Sequence, residues 1–457
     1  MTAPDQTRPL SALACSGCGA APAPADPFPF ACPNAGTGDI DHILRRTIDT
    51  SRLTFPSASV GQEAIEPFIV YRTLLHSYYR AQAGGIFDDR FVDLIQGLDD
   101  AVARVDGRGF TTTPFARSAL LSGALGFSAD AGVWAKDETG NVAGSHKGRH
   151  LMGVMLHLLV SEELGLFDRA RRPDLAIASC GNAALAAAVV AAAARWPLRV
   201  FVPVDADPVI LKRLRALGAK VVVCPREEGV AGDPSLLKLQ EELAAGALPF
   251  TCQGNLNGLA IEGGETLAYE VVSELATGAA PMPDHFVVQV GGGALASSCA
   301  QAFDEALAFG TISKLPRLHT VQTMGAFPLE RAYRLVREQL PLEYRSNQID
   351  ATISDATRHR SSFMWPWESE PKSVAAGILD DETYDWAAVV SAMLRTGGEP
   401  VVVSEERLVE AHAIAKGAGL HADPTGTASL AGLLDLLDRG VVTTDERVIV
   451  LITGVER

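Results

Sequence analysis

Between residues 175 and 224 three short apolar runs, LAIAS (175–179), LRVFVP (198–203) and KVVVC (220–224), alternate with helical stretches. The first stretch, NAALAAAVVAAAA, is apolar on every side and predicts a buried helix. The second, DPVILKRLRALGA, opens with Asp207 and Pro208 as N-cap and first helical residue and closes with Gly218. Apolar runs without polar alternation predict strands covered on both faces, and a β-α-β-α-β succession predicts a parallel sheet. The order resumes at HFVVQV (285–290), LHTVQ (318–322), PVVVS (400–404) and RVIVLIT (447–453). The expected fold class is therefore α/β: two open, twisted, mostly parallel sheets flanked by helices, with a cleft between them. Ligands in such sheets gather at the carboxyl ends of the strands.

Upstream the pattern changes. Residues 39–110 place apolar positions at helical spacing, as in EAIEPFIVYRTLLHSYYR and FVDLIQGLDDAVARV, and predict a mostly helical extension. The first 38 residues are rich in Pro, Ala and Gly and carry Cys15, Cys18 and Cys32, an arm or small metal knuckle. The α/β part would then occupy 111–457, with a smaller subdomain of about 150–258 and a larger one from 111–149 plus 259–457. Residues 175–194 imitate a membrane span of about 20 residues, but Ser179, Cys180, Gly181 and Asn182 interrupt the run with a polar turn.

A net charge of -16, with no run of Lys and Arg interleaved with aromatics, argues against nucleic acid and anionic membrane as partners. The start MTAPDQTRPLSALACSGCG lacks the pattern of a signal peptide, and seven scattered cysteines fit a reducing compartment, so a cytoplasmic location is expected.

Candidate chemistry begins at NVAGSHKGRH (141–150), where Lys147 follows a Gly144-Ser145 turn at the start of a long apolar helix. A lysine used for covalent chemistry needs a depressed pKa, which partial desolvation and the positive helix end supply together. A snorkelling lysine is the plain alternative. VQVGGGALASS (288–298) is a strand, three glycines and a helix. Gly291, Gly292 and Gly293 let an anion approach the backbone, and the amides on to Ala294 and Leu295 would bind phosphate. It lacks the third glycine and the acidic partner of the dinucleotide fingerprint. A ligand-free glycine connection remains the alternative. In SCGNAA (179–184), Asn182 is either a helix N-cap or an amide donor to a phenolate or carboxylate. The last strand delivers the Thr453 hydroxyl to its carboxyl edge.

Together these pieces resemble, in order and spacing, the fold type II pyridoxal-phosphate enzymes over roughly residues 111–457, and among them the threonine synthases and dehydratases. TTPF (112–115) looks like the entry motif, and WAKDETGNVAGSHKGRH (134–150) resembles K-x-E, Asn, then Gly-Ser-x-Lys-x-Arg. ASCGNAA corresponds to the Asn loop, IEGGETLAYE (261–270) to the Glu-Gly-x-x-Thr helix and HADPTGTASLAGL (421–433) to the late Pro-Ser-Ala-Ala type helix. Thr453-Gly454 matches the close of the last strand.

The resemblance implies pyridoxal 5'-phosphate as cofactor, a small amino acid as substrate and a homodimer. Lys147 would be the Schiff-base lysine and later the proton shuttle at the substrate α-carbon. Asn182 would bond the cofactor's ring hydroxyl, and the amides of Gly291 to Leu295 would hold its phosphate. Ser179 and Gly181 would face the substrate carboxylate, with Ser145, His146 and Arg149 lining the substrate site. A neutral Thr453 hydroxyl at the pyridine nitrogen favours elimination over transamination. The implied activity is β- or γ-elimination or replacement, with threonine synthase acting on O-phosphohomoserine, or a non-catalytic relative that binds cofactor or amino acid, as alternatives. Threonine synthases carry an arginine for the substrate phosphate before the Glu-Gly helix, and this chain has none between Gln253 and Gly264, which leaves Arg149, Arg117 or His146 to substitute. The cysteines resemble a zinc-ribbon-like arm seen before some threonine synthases. Ala35 breaks its second Cys-x2-Cys, so three thiolates would recruit His42 or Asp39 to complete a zinc site.

Overall fold

The computed structural model describes residues 9–56, 66–226 and 233–457. Strands β1 (Ser11–Cys15) and β2 (Leu44–Ile48) form an antiparallel hairpin. β3 (Phe115–Arg117) and β4 (Gly132–Asp137) open the larger sheet, which β9 (His285–Gln289), β10 (Arg317–Thr323), β11 (Pro400–Val403) and β12 (Arg447–Ile452) complete. Its order is β11-β10-β9-β12-β4-β3, parallel except for β3. β5 (Leu175–Ala178), β6 (Leu198–Val202), β7 (Lys220–Val223) and β8 (Leu248–Pro249) form a parallel sheet in the order β7-β6-β5-β8. Its β6 is almost wholly buried, as an apolar run without alternation requires. Asp207 caps its helix by accepting from the Val209 amide.

The stretch 39–110 departs from the expected helical reading. Residues Leu44–Ile48 pair with β1 instead, because LRRTI has only alternate positions buried and a partner strand in the arm. Helices Pro67–Val70, His76–Ala83 and Asp88–Asp106 follow, and residues 57–65 lie outside the described region. Among the described residues no helix is long and apolar enough to cross a membrane.

Helix Ala260–Ala276 is the spine of the molecule, packed against helices Lys147–Glu163 and Ala294–Ala308. Close approach needs small residues: a Cβ on Gly153 would lie 2.9 Å from the Gly263 Cα. Register then sets the cleft. Ile452 pairs with Asp137, so Thr453 and Glu138 leave neighbouring strands at one sheet edge, beside the glycines that follow β9.

Candidate active site

The loop from β4 to Lys147 is held from several sides. The Glu138 amide donates to Ile452 O (2.7 Å), and the Ala143 amide to Asp106 Oδ2 (2.8 Å). Ala143 (φ 54°) and Gly144 (φ 70°) take the left-handed conformation that turns the chain into the helix. Lys147 is the first residue of that helix, whose N-cap His146 makes no side-chain capping bond. It is half-buried, and among the described residues its ammonium has neither ion pair nor side-chain hydrogen bond. Lys136, Lys238, Lys314, Lys372 and Lys416 are each paired with a carboxylate.

Gly181 is the N-cap of helix Asn182–Ala193 and Asn182 its first residue, so capping does not explain the asparagine. Asn182 Oδ1 accepts from Arg457 Nη1 at 2.5 Å, which leaves the Nδ2 amide as the donor. That nitrogen lies 2.9 Å from where a Cβ on Gly454 would sit, bringing the Asn loop against the end of β12. The Thr453 hydroxyl is buried and accepts from Gln289 Nε2 (2.7 Å), so its own hydrogen can be donated. Ser179 Oγ accepts from the Gly181 amide (3.4 Å), and Ser145 Oγ from the Lys147 amide (3.4 Å).

Gly293 (φ 96°) starts helix Ala294–Ala308 without a side-chain cap, and uncapped first-turn amides suit an anion. One residue near them was not legible in the sequence: Asp380. Its half-buried carboxylate stands where a Gly291 Cβ would fall. Burial raises its pKa, and the nearby charge of Lys147 opposes this. Tyr384 crosses the same loop, 2.8 Å from a Cβ position on Gly292, and Thr383 Oγ1 donates to Gly291 O (3.0 Å). Asp380 sits in an acidic loop, DDETYD, with no periodicity to mark it.

The three expected surrogates for the missing arginine separate cleanly. Arg149 is fully buried, with all five N–H groups engaged: Glu138 (2.8 and 3.0 Å), Glu270 (2.7 Å), Thr266 (3.1 Å) and Thr113 (3.2 Å). It has no donor left for a substrate. Arg117 donates to Ala131 O (2.8 Å) at the amino end of β4, the wrong sheet edge. His146 remains: buried beside Lys147, with both ring nitrogens unpartnered and the His150 ring 5.6 Å away. Burial, then the charge of Lys147, holds it neutral. Cys15, Cys18 and Cys32 lie in the arm with His42, whereas Asp39 is taken up by Ser361.

Residues 108–454 match the family described as pyridoxal-phosphate dependent enzyme. The chain belongs to that family. Threonine synthase of Methanocaldococcus jannaschii is 27% identical over 346 residues, 75% of this chain and 74% of the relative. Threonine synthase of Mycobacterium bovis is 27% identical over 280 residues, 61% of this chain and 66% of the relative. The processed form of threonine deaminase isoform 2 from Solanum lycopersicum shares the fold, with a TM-score of 0.56, 16% identity and coverage of 81% of this chain and 90% of that one. The site fits the family's cofactor: an unpaired amine, an uncapped helix start behind three glycines, and one hydroxyl with a hydrogen to donate.

Proposed function

We propose that this pyridoxal-phosphate dependent enzyme is a lyase of the threonine synthase and dehydratase type, acting by elimination or replacement on a small L-amino acid. The observation that carries it is Lys147, a half-buried amine without a partner among the described residues, within electrostatic reach of Asp380, whose carboxylate stands against the Gly291–Gly293 loop. Bound there, the cofactor supplies the electron sink for bond breaking at the substrate α-carbon. Lys147 Nζ would anchor it and move the α-proton. Asn182 Nδ2 would meet the ring hydroxyl, the amides of Gly293 to Leu295 the phosphate, and Thr453 the ring nitrogen. A neutral hydroxyl there leaves the ring unprotonated, which limits the sink and supports elimination. Ser145, Ser179 and Gly181 supply polar groups for a substrate carboxylate. The commitment of Arg149 to Glu138 and Glu270 removes the best cation for a phosphorylated substrate, so serine or threonine is favoured over O-phosphohomoserine.

The test is borohydride reduction of the cofactor-loaded chain followed by peptide mapping, with keto acid and phosphate assays on serine, threonine and O-phosphohomoserine. We expect the label on Lys147 and keto acid from serine or threonine. Label on another lysine, or no product from any of the three, overturns the reading; phosphate release without keto acid reverses the substrate preference. Gly292→Val should weaken cofactor affinity at least tenfold, about 1.4 kcal/mol, since its Cβ meets Tyr384.

A further inference from the structure

The arm holds a cluster that the cleft does not use. Single ligand atoms of Cys15, Cys18, Cys32 and His42 all lie within 4.8 Å of one another. Cys18 Sγ and Cys32 Sγ are 3.5 Å apart, and Cys15 Sγ is 3.7 Å from His42 Nδ1. Zinc bonds of about 2.3 Å to sulfur and 2.0 Å to nitrogen in a tetrahedron put neighbouring ligand atoms roughly 3.5–3.8 Å apart, the separation of these two pairs, and the remaining pairs need close by no more than about 1 Å.

Two further details point the same way. The Asn34 amide donates to Cys32 Sγ (3.3 Å), and the Ala20 amide to Cys18 Sγ. The backbone thus bends back two residues past each cysteine to support a thiolate, the ligating form. His42 Nε2 donates to Thr37 O (3.1 Å), which fixes the tautomer and turns the Nδ1 lone pair toward the thiols. Asp39, the other candidate for fourth ligand, donates nothing to the cluster because Ser361 Oγ (2.7 Å) and the Ser361 amide (2.9 Å) hold its carboxylate.

We propose that Cys15, Cys18, Cys32 and His42 form a structural zinc site, with His42 in the place where a fourth cysteine would otherwise close the tetrahedron. Three thiolates and one imidazole, all from protein, select zinc and leave no open position for catalysis. Binding releases the thiol protons to solvent. The metal joins the last residue of β1 to the residues just before β2, closing the hairpin at its base. From that hairpin Arg45 Nη2 reaches Ser297 Oγ (3.1 Å) in the helix behind the glycine loop, and Phe30 O receives the Gly258 amide (2.8 Å). The zinc site therefore braces one wall of the cleft while standing outside it.

The experiment uses the full, cofactor-loaded chain purified under reducing conditions. Elemental analysis should find one zinc per chain, and cobalt exchanged into the site should show the absorption of a tetrahedral three-sulfur, one-nitrogen centre. His42→Ala should weaken metal affinity more than the roughly 10–100-fold that loss of an outer partner costs. Asp39→Asn should leave it unchanged. Chelation should lower the melting temperature of the parent chain, a readout that stands even if His42→Ala fails to fold. Zinc-free protein with a Cys18–Cys32 disulfide, a cobalt spectrum lacking thiolate bands, or parent affinity in His42→Ala overturns the proposal. Cofactor absorbance, read in parallel, reports on the lyase reading independently.

Discussion

Helix Ala260–Ala276 carries two buried carboxylate clusters on adjacent faces, and they are built to opposite rules. On one face Glu270 joins Glu138, Arg149 and Lys136: two carboxylates, two cations and every guanidinium hydrogen bonded. On the other, Glu262 and Glu265 share Arg46 with Glu305, one cation against three carboxylates. There Arg46 Nε and Nη1 and one oxygen each of Glu262 and Glu265 have no hydrogen-bond partner among the described residues. Burial acts on both faces, and the balance of charge decides the outcome. Against its own burial, the Arg149 guanidinium pulls Glu138 down to about 2. Burial wins on the other face, where Glu262 rises to about 7 and Glu265 to about 8 despite Arg46. Residue type and depth do not fix a carboxylate's charge; the local count of cations does.

The comparison can be broken most severely at Arg149. Arg149→Met removes the ion-pair partner of Glu138 and leaves two buried carboxylates to Lys136 alone, and should cost about 3–5 kcal/mol of unfolding free energy, read by denaturant titration. Arg46→Met should cost less, about 1–3 kcal/mol near pH 8.5, and less again near pH 5.5, where Glu262 and Glu265 are neutral and need no cation. Equal costs at both pH values would contradict this account.

Glu265→Gln sharpens the contrast further. A carboxyl whose folded pKa is raised contributes stability that is complete below its unfolded value and is lost as pH rises through the folded one. The stability of the parent should thus fall between its ordinary carboxyl range and about pH 8, a loss that Glu265→Gln avoids. The variant's melting temperature, compared with the parent's, should improve steadily across that window and level off above it. A surface control sets the floor: breaking the exposed Arg334–Glu338 pair with Arg334→Gln should change stability by no more than about 0.5 kcal/mol.

Periodicity exposed the seven principal parallel strands and the helices between them, because central strands are apolar without interruption; β7 shares that pattern yet lies uncovered at the edge of its sheet. It missed β4, whose GVWAKD ends on charges that are satisfied only in three dimensions, and β2, whose arginines look like helix surface. Asn182, the glycine loop and Thr453 could be read because each follows an apolar strand, and Lys147 because a Gly-Ser turn and a long apolar helix flank it. Arg149 misled for a physical reason: its place two residues after Lys147 says nothing about Glu138 and Glu270 converging on it from other elements. Asp380 and the pairing of His42 with three cysteines depend on long-range closure that no local pattern carries.

The side chain of Arg457 has a mechanical consequence. Its two terminal nitrogens reach Asn182 Oδ1 (2.5 Å), on the helix after β5, and Ala143 O (2.6 Å), in the loop after β4. One guanidinium therefore rivets a loop of the smaller sheet to a loop of the larger one at the mouth of the cleft. Separating the two loops therefore requires both bonds to break at once. Arg457→Ala should speed amide hydrogen exchange at residues 143–145 and 182–183 together; exchange that changes on one side alone would show that the two loops move independently.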